Sequence, residues 1–426
     1  MNSSEVTQPS PGVCAECFAD ESIKAFVRER AVWNECHFCK GLSSAPIAAP
    51  IDAVADFVLE GIASWWTTDT HETDFDDDTG YSSWSSNNTE ELLRLDGMDQ
   101  WQPAPWTEPP IRDGAVIDEI SRLLGPQTWY IRLLTRETPG AKLVFDWGDF
   151  CERIKHKSRF SFHAPLEGDF DAWEPESFPT ADILDELADL VRAENLVTIE
   201  PAGTKLFRAR QHDPKRKKEI ETAGELGPPP PTAAPCANRM SPAGIVMFYG
   251  AYDAETASRE GLDYGRWSQG KTMITVGTFV AKIALRVVDL RKSKMLVPSI
   301  FDPQKRPTRS AIQFLRDFAE EVGHPIAKDG REHVEYVPTQ VVAEYFRRMF
   351  KDNTGNPVQG ILYDSSQFGG GTCCALFLDA EQCGVTPPWP TRRRTPREQV
   401  LRFAGWKHFE VDVDPVFRPC GAGAPK

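Results

Sequence analysis

Arg239, Tyr249 and Glu260 stand ten and eleven residues apart in the stretch NRMSPAGIVMFYGAYDAETASRE, residues 238–260. Ser241, Pro242, Ala243 and Gly244 read as a turn just after the arginine. Residues 245–249, short, apolar and bounded by turn residues, read as a buried strand. After Gly250, residues 253–259 read as the start of a helix with Asp253 at its N-cap. One strand thus has an arginine before it, a tyrosine at its end and a carboxylate one helix later. Such a set suits an anionic substrate that carries an aromatic ring and develops positive charge as it reacts. A guanidinium fork fits phosphate oxygens, an aromatic face takes a ring, and a carboxylate steadies a nascent cation.

A second constellation lies near the N-terminus. Cys14-Ala15-Glu16-Cys17 and Cys36-His37-Phe38-Cys39 are two CxxC pairs separated by eighteen residues, a spacing typical of four-cysteine zinc sites. Two thiolates three residues apart grip one side of a tetrahedral ion, and the second pair completes the shell. The expected ion is structural Zn²⁺ held by Cys14, Cys17, Cys36 and Cys39, because four thiolates leave no open position for a substrate. His37 is the competing ligand, and a disulfide or redox pair is the competing chemistry. Cys373 and Cys374 fall in an apolar stretch after Gly369–Gly371 and read as packing residues of a core strand.

The stretch around Arg239 resembles the RES domain, a family of NAD-degrading enzymes named for its Arg, Glu and Ser. Arg239-Met240-Ser241-Pro242-Ala243-Gly244 stands where the family has an Arg-Trp-Asn-Pro-Pro-Gly turn. Phe248-Tyr249 ends the strand, and Asp253-Ala254-Glu255-Thr256-Ala257 leads to Glu260. The family's serine matches Ser365 in Gly360-Ile361-Leu362-Tyr363-Asp364-Ser365-Ser366, with Ser366 as the adjacent alternative. Leu206-Phe207-Arg208 is similar to the family's opening strand, and Tyr336-Val337-Pro338-Thr339-Gln340 to a later segment. The resemblance spans about residues 200–385. It implies an ADP-ribosyltransferase-like fold split between two small sheets, with NAD in the cleft. It further implies that Arg208 and Arg239 bind the pyrophosphate or an acceptor phosphate. Ser365 would then bond a ribose hydroxyl or the nicotinamide amide.

Length and composition bound the rest. A chain of 426 residues exceeds one ordinary core and predicts several domains. The expected class is an α+β multidomain protein: a leader over 1–12, a zinc-binding motif over 13–45, a mainly helical module over 46–196 and an α+β domain over 197–426. Within the last, residues 212–235 read as an insertion, from the lysine-rich run and Pro228–Pro231. Residues after about 385 read as an extension, mostly loop punctuated by short elements. Ile51, Val54, Ala55, Val58, Leu59 and Ile62 share one helical face. Further helices are expected over 114–124, 147–157, 181–193, 312–322 and 338–350, and strands over 275–290. The acidic stretch 67–88 reads as a solvated loop, because it lacks the ligand pattern of a Ca²⁺ site.

The segment 147–160 resembles the end of the helical HEPN-type module found before some RES domains. HEPN ribonucleases have about four to six residues between an arginine and a histidine on a helix. Here only Ile154 and Lys155 lie between Arg153 and His156, although α-helical geometry would bring such an i,i+3 pair near one face. A formal net charge of −15 disfavours nucleic acid as a general partner. The start of the chain lacks the pattern of a secretory signal and no apolar run reaches membrane-spanning length, so a cytoplasmic protein is expected. GxGxxG, GxSxG and HExxH patterns are absent from the sequence.

The leading expectation is an NAD-consuming enzyme, a glycohydrolase or phosphorylase acting as a bacterial toxin or defence effector. Glu260, Tyr249 and Arg239 would be catalytic, with Arg208, Arg239, Tyr249 and Ser365 binding substrate. Water, inorganic phosphate or a protein stands as acceptor, and an antitoxin or the N-terminal half as restraint. The alternatives are a protein ADP-ribosyltransferase, a HEPN-type ribonuclease toxin and a noncatalytic zinc-dependent interaction protein.

Overall fold

The computed structural model describes residues 10–69, 75–76, 81–82, 87–95, 106, 108–131, 141–161, 182–234, 237–262, 272–295, 297–323, 331–385, 398–411 and 417–423. Most of the expected leader and part of the acidic stretch 67–88 lie outside these residues. The chain forms two compact units: residues 1–141 with 297–312, and residues 142–296 with 313–426.

In the first unit, β1 (Gly12–Cys14) pairs antiparallel with β2 (Ala48–Pro50). Four helices, α1 (Glu21–Glu29), α2 (Ile51–Ala63), α3 (Thr89–Arg94) and α4 (Gly114–Leu124), build its core. Short strands β3 (Trp66–Thr67), β4 (Phe75–Asp76), β5 (Tyr81–Ser82), β6 (Asn87–Asn88) and β7 (Thr128–Ile131) complete it. The caps follow from sequence: the Asp20 carboxylate accepts from the Ser22 and Ile23 amides, and Asn88 and Glu91 form a capping box. In α2, Ile51, Val54, Ala55, Val58 and Ile62 are all buried, so the periodic stripe is the core face. Gly61 of this helix meets the Phe301 ring, where a Cβ would lie 2.2 Å from Cδ1.

The second unit opens with α5 (Ala141–Glu152), a π turn (Arg153–Lys157) and α6 (Asp182–Ala193). Its sheet strands are β8 (Val197–Glu200), β9 (Lys205–His212), β10 (Phe248–Ala251), β11 (Thr272–Ala281), β12 (Leu285–Asp289), β13 (Gly360–Asp364), β14 (Thr372–Leu376), β15 (Leu401–Val411) and β16 (Phe417–Gly423). Their spatial order is β16-β15-β11-β9-β10-β14-β13-β12-β8. The pair β12–β13 is parallel and the other pairings in this sheet are antiparallel. The helices are α7 (Ala223–Leu226), α8 (Ala254–Glu260), α9 (Arg309–Gly323), α10 (Glu332–Glu335) and α11 (Val337–Arg348).

Strand alternation feeds two apolar layers. Val288, Ile361 and Cys373 join α5, α6, α9 and α11 in one core, while Val287, Leu362 and Cys374 join Ile220, Leu226 and Phe279 in the other. The adjacent cysteines therefore pack on opposite faces.

The sheet is nearly two. β9 pairs with β11 along its length, yet meets β10 only at Ala251 opposite Phe207. A Cβ on Gly250 would approach the Phe207 carbonyl to 3.0 Å, so this close approach of the two backbones needs glycine. Beyond that single pair β9 and β10 part, and the space between them becomes the floor of a cavity.

Two expectations need correction. The stretch after 385 is more than loop: β15 is an eleven-residue strand paired with β11, and β16 pairs with β15. Its alternation is broken where the register shifts between Thr278 and Phe279, which leaves Ala404 as the extra residue. That bulge hides a long strand from a period-two reading. The strand expected over 245–249 begins later, at Phe248.

Candidate functional site

A cavity of about 860 Å³ opens where β9 and β10 diverge, and Arg208, Arg239, Tyr249 and Glu260 all line it. Ser365 is not on the wall but directly behind it, buried and bonded to Glu260. The structure thus gathers all five predicted residues at one place, four lining the cavity and one supporting it.

Glu260 ends α8, whose entry is fixed by Asp253: its carboxylate accepts from the Thr256 amide at 2.7 Å and the Thr256 hydroxyl at 2.6 Å. Gly261 then packs the helix end onto Ala209 of β9. At Glu260 Oε1 the Ser365 hydroxyl donates a hydrogen bond of 2.6 Å. The Ser365 oxygen accepts from the Gln367 and Phe368 amides, at 3.2 and 3.1 Å. A serine hydroxyl has one proton and two lone pairs, so this one is fully used. With both lone pairs taken, its proton points at the carboxylate.

Arg239 lines the same cavity. Its Nη1 donates to the backbone carbonyls of Val322 and Gly323, and its Nη2 to Ser366 Oγ at 3.2 Å. Those carbonyls end α9, so the guanidinium also caps a helix C-terminus, where cations are favoured. Both serines therefore serve, one for the carboxylate and the next for the arginine.

Tyr249 uses its hydroxyl structurally. Its oxygen lies 2.9 Å from Ser241 Oγ and accepts from the Met240 amide at 3.3 Å, which fastens the Arg239 turn to β10. Burial pushes its phenol up to about 12. Tyr249 also lines the cavity.

Arg208 differs from these. Its Nη1 is buried and has no hydrogen-bond partner among the described residues. Burial, reinforced by neighbouring Arg210, lowers its guanidinium to about 10. A buried, unpaired donor costs free energy that an anion would recover.

Sequence reasoning missed several supports. The Thr339 hydroxyl donates to the Arg239 carbonyl, and Gln340 Nε2 donates to the Asn238 carbonyl at 2.8 Å. Both lie in the first turn of α11, so the recurring Tyr336–Gln340 segment acts as a brace for the Arg239 turn. The signal was a polar pair just after a proline at a helix start. Tyr363, Cys373, Glu332, His333 and Tyr336 also line the cavity, as do Pro229, Ala233 and Ala234 from the expected insertion. Burial raises Tyr363 well above the ordinary phenol value and pushes the Cys373 thiol up, with Glu260 adding to it, so neither ionises at neutral pH.

Residues 205–394 match the RES domain family, and residues 29–167 match HEPN/RES N-terminal domain 1. The chain carries a RES domain. The RES domain is associated with NAD-acting enzymes, and its matched stretch holds every residue of the cavity site. No curated protein and no solved structure matches the chain significantly.

The HEPN/RES-matched region contains Arg153 and His156 in the π turn, where the Ser158 amide donates to the Arg153 carbonyl at 2.7 Å. An i,i+3 neighbourhood assumes α-helical phase, and the turn abandons that phase here. His156 Nε2 lies 3.9 Å from Glu152 Oε2 instead.

Cys14, Cys17, Cys36 and Cys39 form a cluster able to hold a metal ion, their sulfurs all within 4.8 Å of one another. Sulfur separations of 3.9, 3.4 and 3.7 Å along Cys14–Cys17, Cys14–Cys39 and Cys17–Cys36 exclude disulfides. They match the edge of about 3.8 Å that a tetrahedron of metal–sulfur bonds near 2.3 Å requires. Burial, then neighbouring thiols, raises Cys14 to about 11 and Cys17 further, whereas backbone hydrogen bonds outweigh burial and lower Cys36, so Cys14 and Cys17 are the thiols that need a cation to ionise. His37 is exposed and outside the cluster. Among the described residues, no helix is long and apolar enough to cross a membrane.

Proposed function

We propose that this protein consumes NAD by cleaving its nicotinamide–ribosyl bond. The observation that carries the reading is the pairing, in one cavity, of an oriented carboxylate with an arginine whose buried Nη1 has no hydrogen-bond partner among the described residues. NAD supplies what each lacks: a pyrophosphate for Arg208 and a sugar that turns cationic for Glu260.

In the proposed reaction the bond between ribose C1′ and the pyridinium nitrogen breaks, and both electrons leave with nicotinamide, which departs neutral. The ribose becomes oxocarbenium-like, and the Glu260 carboxylate stabilises that charge. Tyr249 offers its ring face to the departing nicotinamide. Arg208 holds the pyrophosphate, with Arg239 in the same cavity for a second phosphate group. Ser365 positions Glu260, a role its saturated hydrogen bonds favour over contact with substrate. The acceptor is water or phosphate, giving a glycohydrolase or a phosphorylase; a protein acceptor would make it an ADP-ribosyltransferase. A toxin or defence role follows as part of this proposal. The Arg153–His156 geometry gives the ribonuclease reading no support.

For the cysteine cluster we propose structural Zn²⁺ on Cys14, Cys17, Cys36 and Cys39. Its bound charge would keep all four thiolates ionised and tie β1 to the loop of Cys36 and Cys39.

Incubating wild type and Glu260→Gln with NAD, with and without phosphate, tests the reading. Free nicotinamide is expected from wild type, with a loss of about 10²–10⁴-fold in the variant. The nonnicotinamide product, ADP-ribose or its 1″-phosphate, distinguishes the acceptors. No nicotinamide under either condition would remove the hydrolase and phosphorylase readings.

A further inference from the structure

One wall of the cavity is built from a single turn of helix. Glu332, His333 and Tyr336 reach the cavity from α10 and its C-cap. The Arg331 side chain makes no capping bond to α10, and so short a helix has little stability of its own. One tie of α10 to another element is at Glu335, whose Oε2 accepts from Lys155 Nζ at 2.8 Å. The two side chains are only 34% and 20% exposed, unlike a loose surface pair. The hydrogen bond from Lys155 holds the Glu335 carboxyl below its ordinary range.

Lys155 sits in the π turn that follows α5, with neighbouring Ile154 fully buried in the core shared with Val342 and Phe346 of α11. The extra residue in the turn resets the phase of the chain after Glu152, and so decides where Lys155 points. α5 makes a second connection. Trp147 stands edge-on to Phe314 and Phe318 of α9, and its Nε1 donates to Glu321 at 3.1 Å. The last carbonyls of α9 are those that Arg239 binds. Lys155 and Trp147 lie in the HEPN/RES-matched region, whereas Glu335 and α9 lie in the RES-matched region.

We infer that Lys155 is a positioning residue for the cavity, acting through Glu335 to hold the α10 wall in its substrate-ready place. The inference rests on the NAD reading for its kinetic consequence, but its structural content can be read without NAD. The end of the HEPN/RES-matched region is thus a working part of the RES cavity. Whatever shifts the π turn would alter substrate binding without touching Glu260.

Two measurements on the full chain test this. The first is hydrogen exchange at the Glu335 and Tyr336 amides, which bond to Arg331 and Glu332 carbonyls. Lys155→Ala and Glu335→Ala are each expected to speed it about three- to tenfold, and the double variant no further. Unchanged exchange in both single variants overturns the inference, whether or not the protein acts on NAD. The second is steady-state kinetics with NAD: the single variants are expected to raise KM about three- to tenfold with kcat within about twofold. The charge-swapped pair Lys155→Glu with Glu335→Lys is expected to bring KM back toward wild type. Faster exchange with unchanged KM overturns the positioning role. A wild type inert toward NAD, with exchange responding as expected, overturns the NAD reading and leaves the Lys155–Glu335 coupling standing.

Discussion

Ser365 and Ser366 are chemically identical neighbours with separate duties, and their hydrogen bonds say why. Ser365 spends its proton on Glu260 and its lone pairs on two amides, whereas Ser366 accepts from Arg239. Ser365→Ala removes a charge-assisted bond of about 1.5–3 kcal/mol, so kcat for NAD cleavage is expected to fall about tenfold or more. Ser366→Ala loosens a guanidinium that retains its helix-end carbonyls and is expected to cost less than Ser365→Ala. A larger effect at Ser366 would invert this assignment. Arg208 makes a different prediction. Its guanidinium is lowered to about 10, so it is charged at neutral pH and becomes neutral as pH rises through that value. Substrate affinity should therefore be retained below pH 10 and decline above it, and KM measured across pH 7–11 checks the sign. Arg208→Lys, with a point charge and no fork, is expected to raise KM even at neutral pH.

At the scale of elements, α8 shows how local sequence places a reactive group. Asp253 sets the first turn, and Glu260 sits at the last residue of the same short helix. Asp253→Ala is expected to cost about 1 kcal/mol of stability and, by unfixing the helix start, to lower kcat as well. Thermal unfolding and NAD turnover of that variant would separate the two effects. The helix and its cap were legible in the sequence because capping is a short-range rule. The β9–β10 divergence was not, because pairing that stops after one residue is settled between strands about forty residues apart. β15 escaped for a related reason: a bulge that forms only against β11 shifts its alternation midway. The Arg153–His156 spacing was read on α-helical phase, and a π turn replaced that phase.

At the scale of the molecule, the two units carry separate predictions. Removing metal should unfold the cysteine cluster's surroundings, since Cys14 and Cys17, raised by burial among neighbouring thiols, resist ionising without a cation. One metal per chain by elemental analysis, and a lowered Tm on chelation, are the expected results. In the second unit, Phe150, Ile154, Leu187 and Val191 of the α5–α6 region are buried against the sheet. Burial of one such side chain contributes about 1.5–3 kcal/mol, and whole domains hold only about 5–15 kcal/mol. A fragment beginning at residue 197 is therefore expected to show no cooperative unfolding transition. A test of restraint by the N-terminal region needs a fragment that retains α5, the π turn and α6.

The sequence alone determined the chemistry on offer: two CxxC pairs, and an arginine, tyrosine and glutamate set by a turn, a strand and a capped helix. Caps, turns and ligand spacing act over a few residues, so one dimension suffices to read them. Tertiary structure decided which groups meet and which remain available. It brought Ser365 behind Glu260 from 105 residues away. It occupied the Tyr249 hydroxyl and part of Arg239 with neighbours and left Arg208 Nη1 without a partner among the described residues. It also set Lys155 against the turn that forms the cavity's wall. Hydrogen-bond capacity is finite, and which donors remain for a substrate depends on every neighbour that folding supplies.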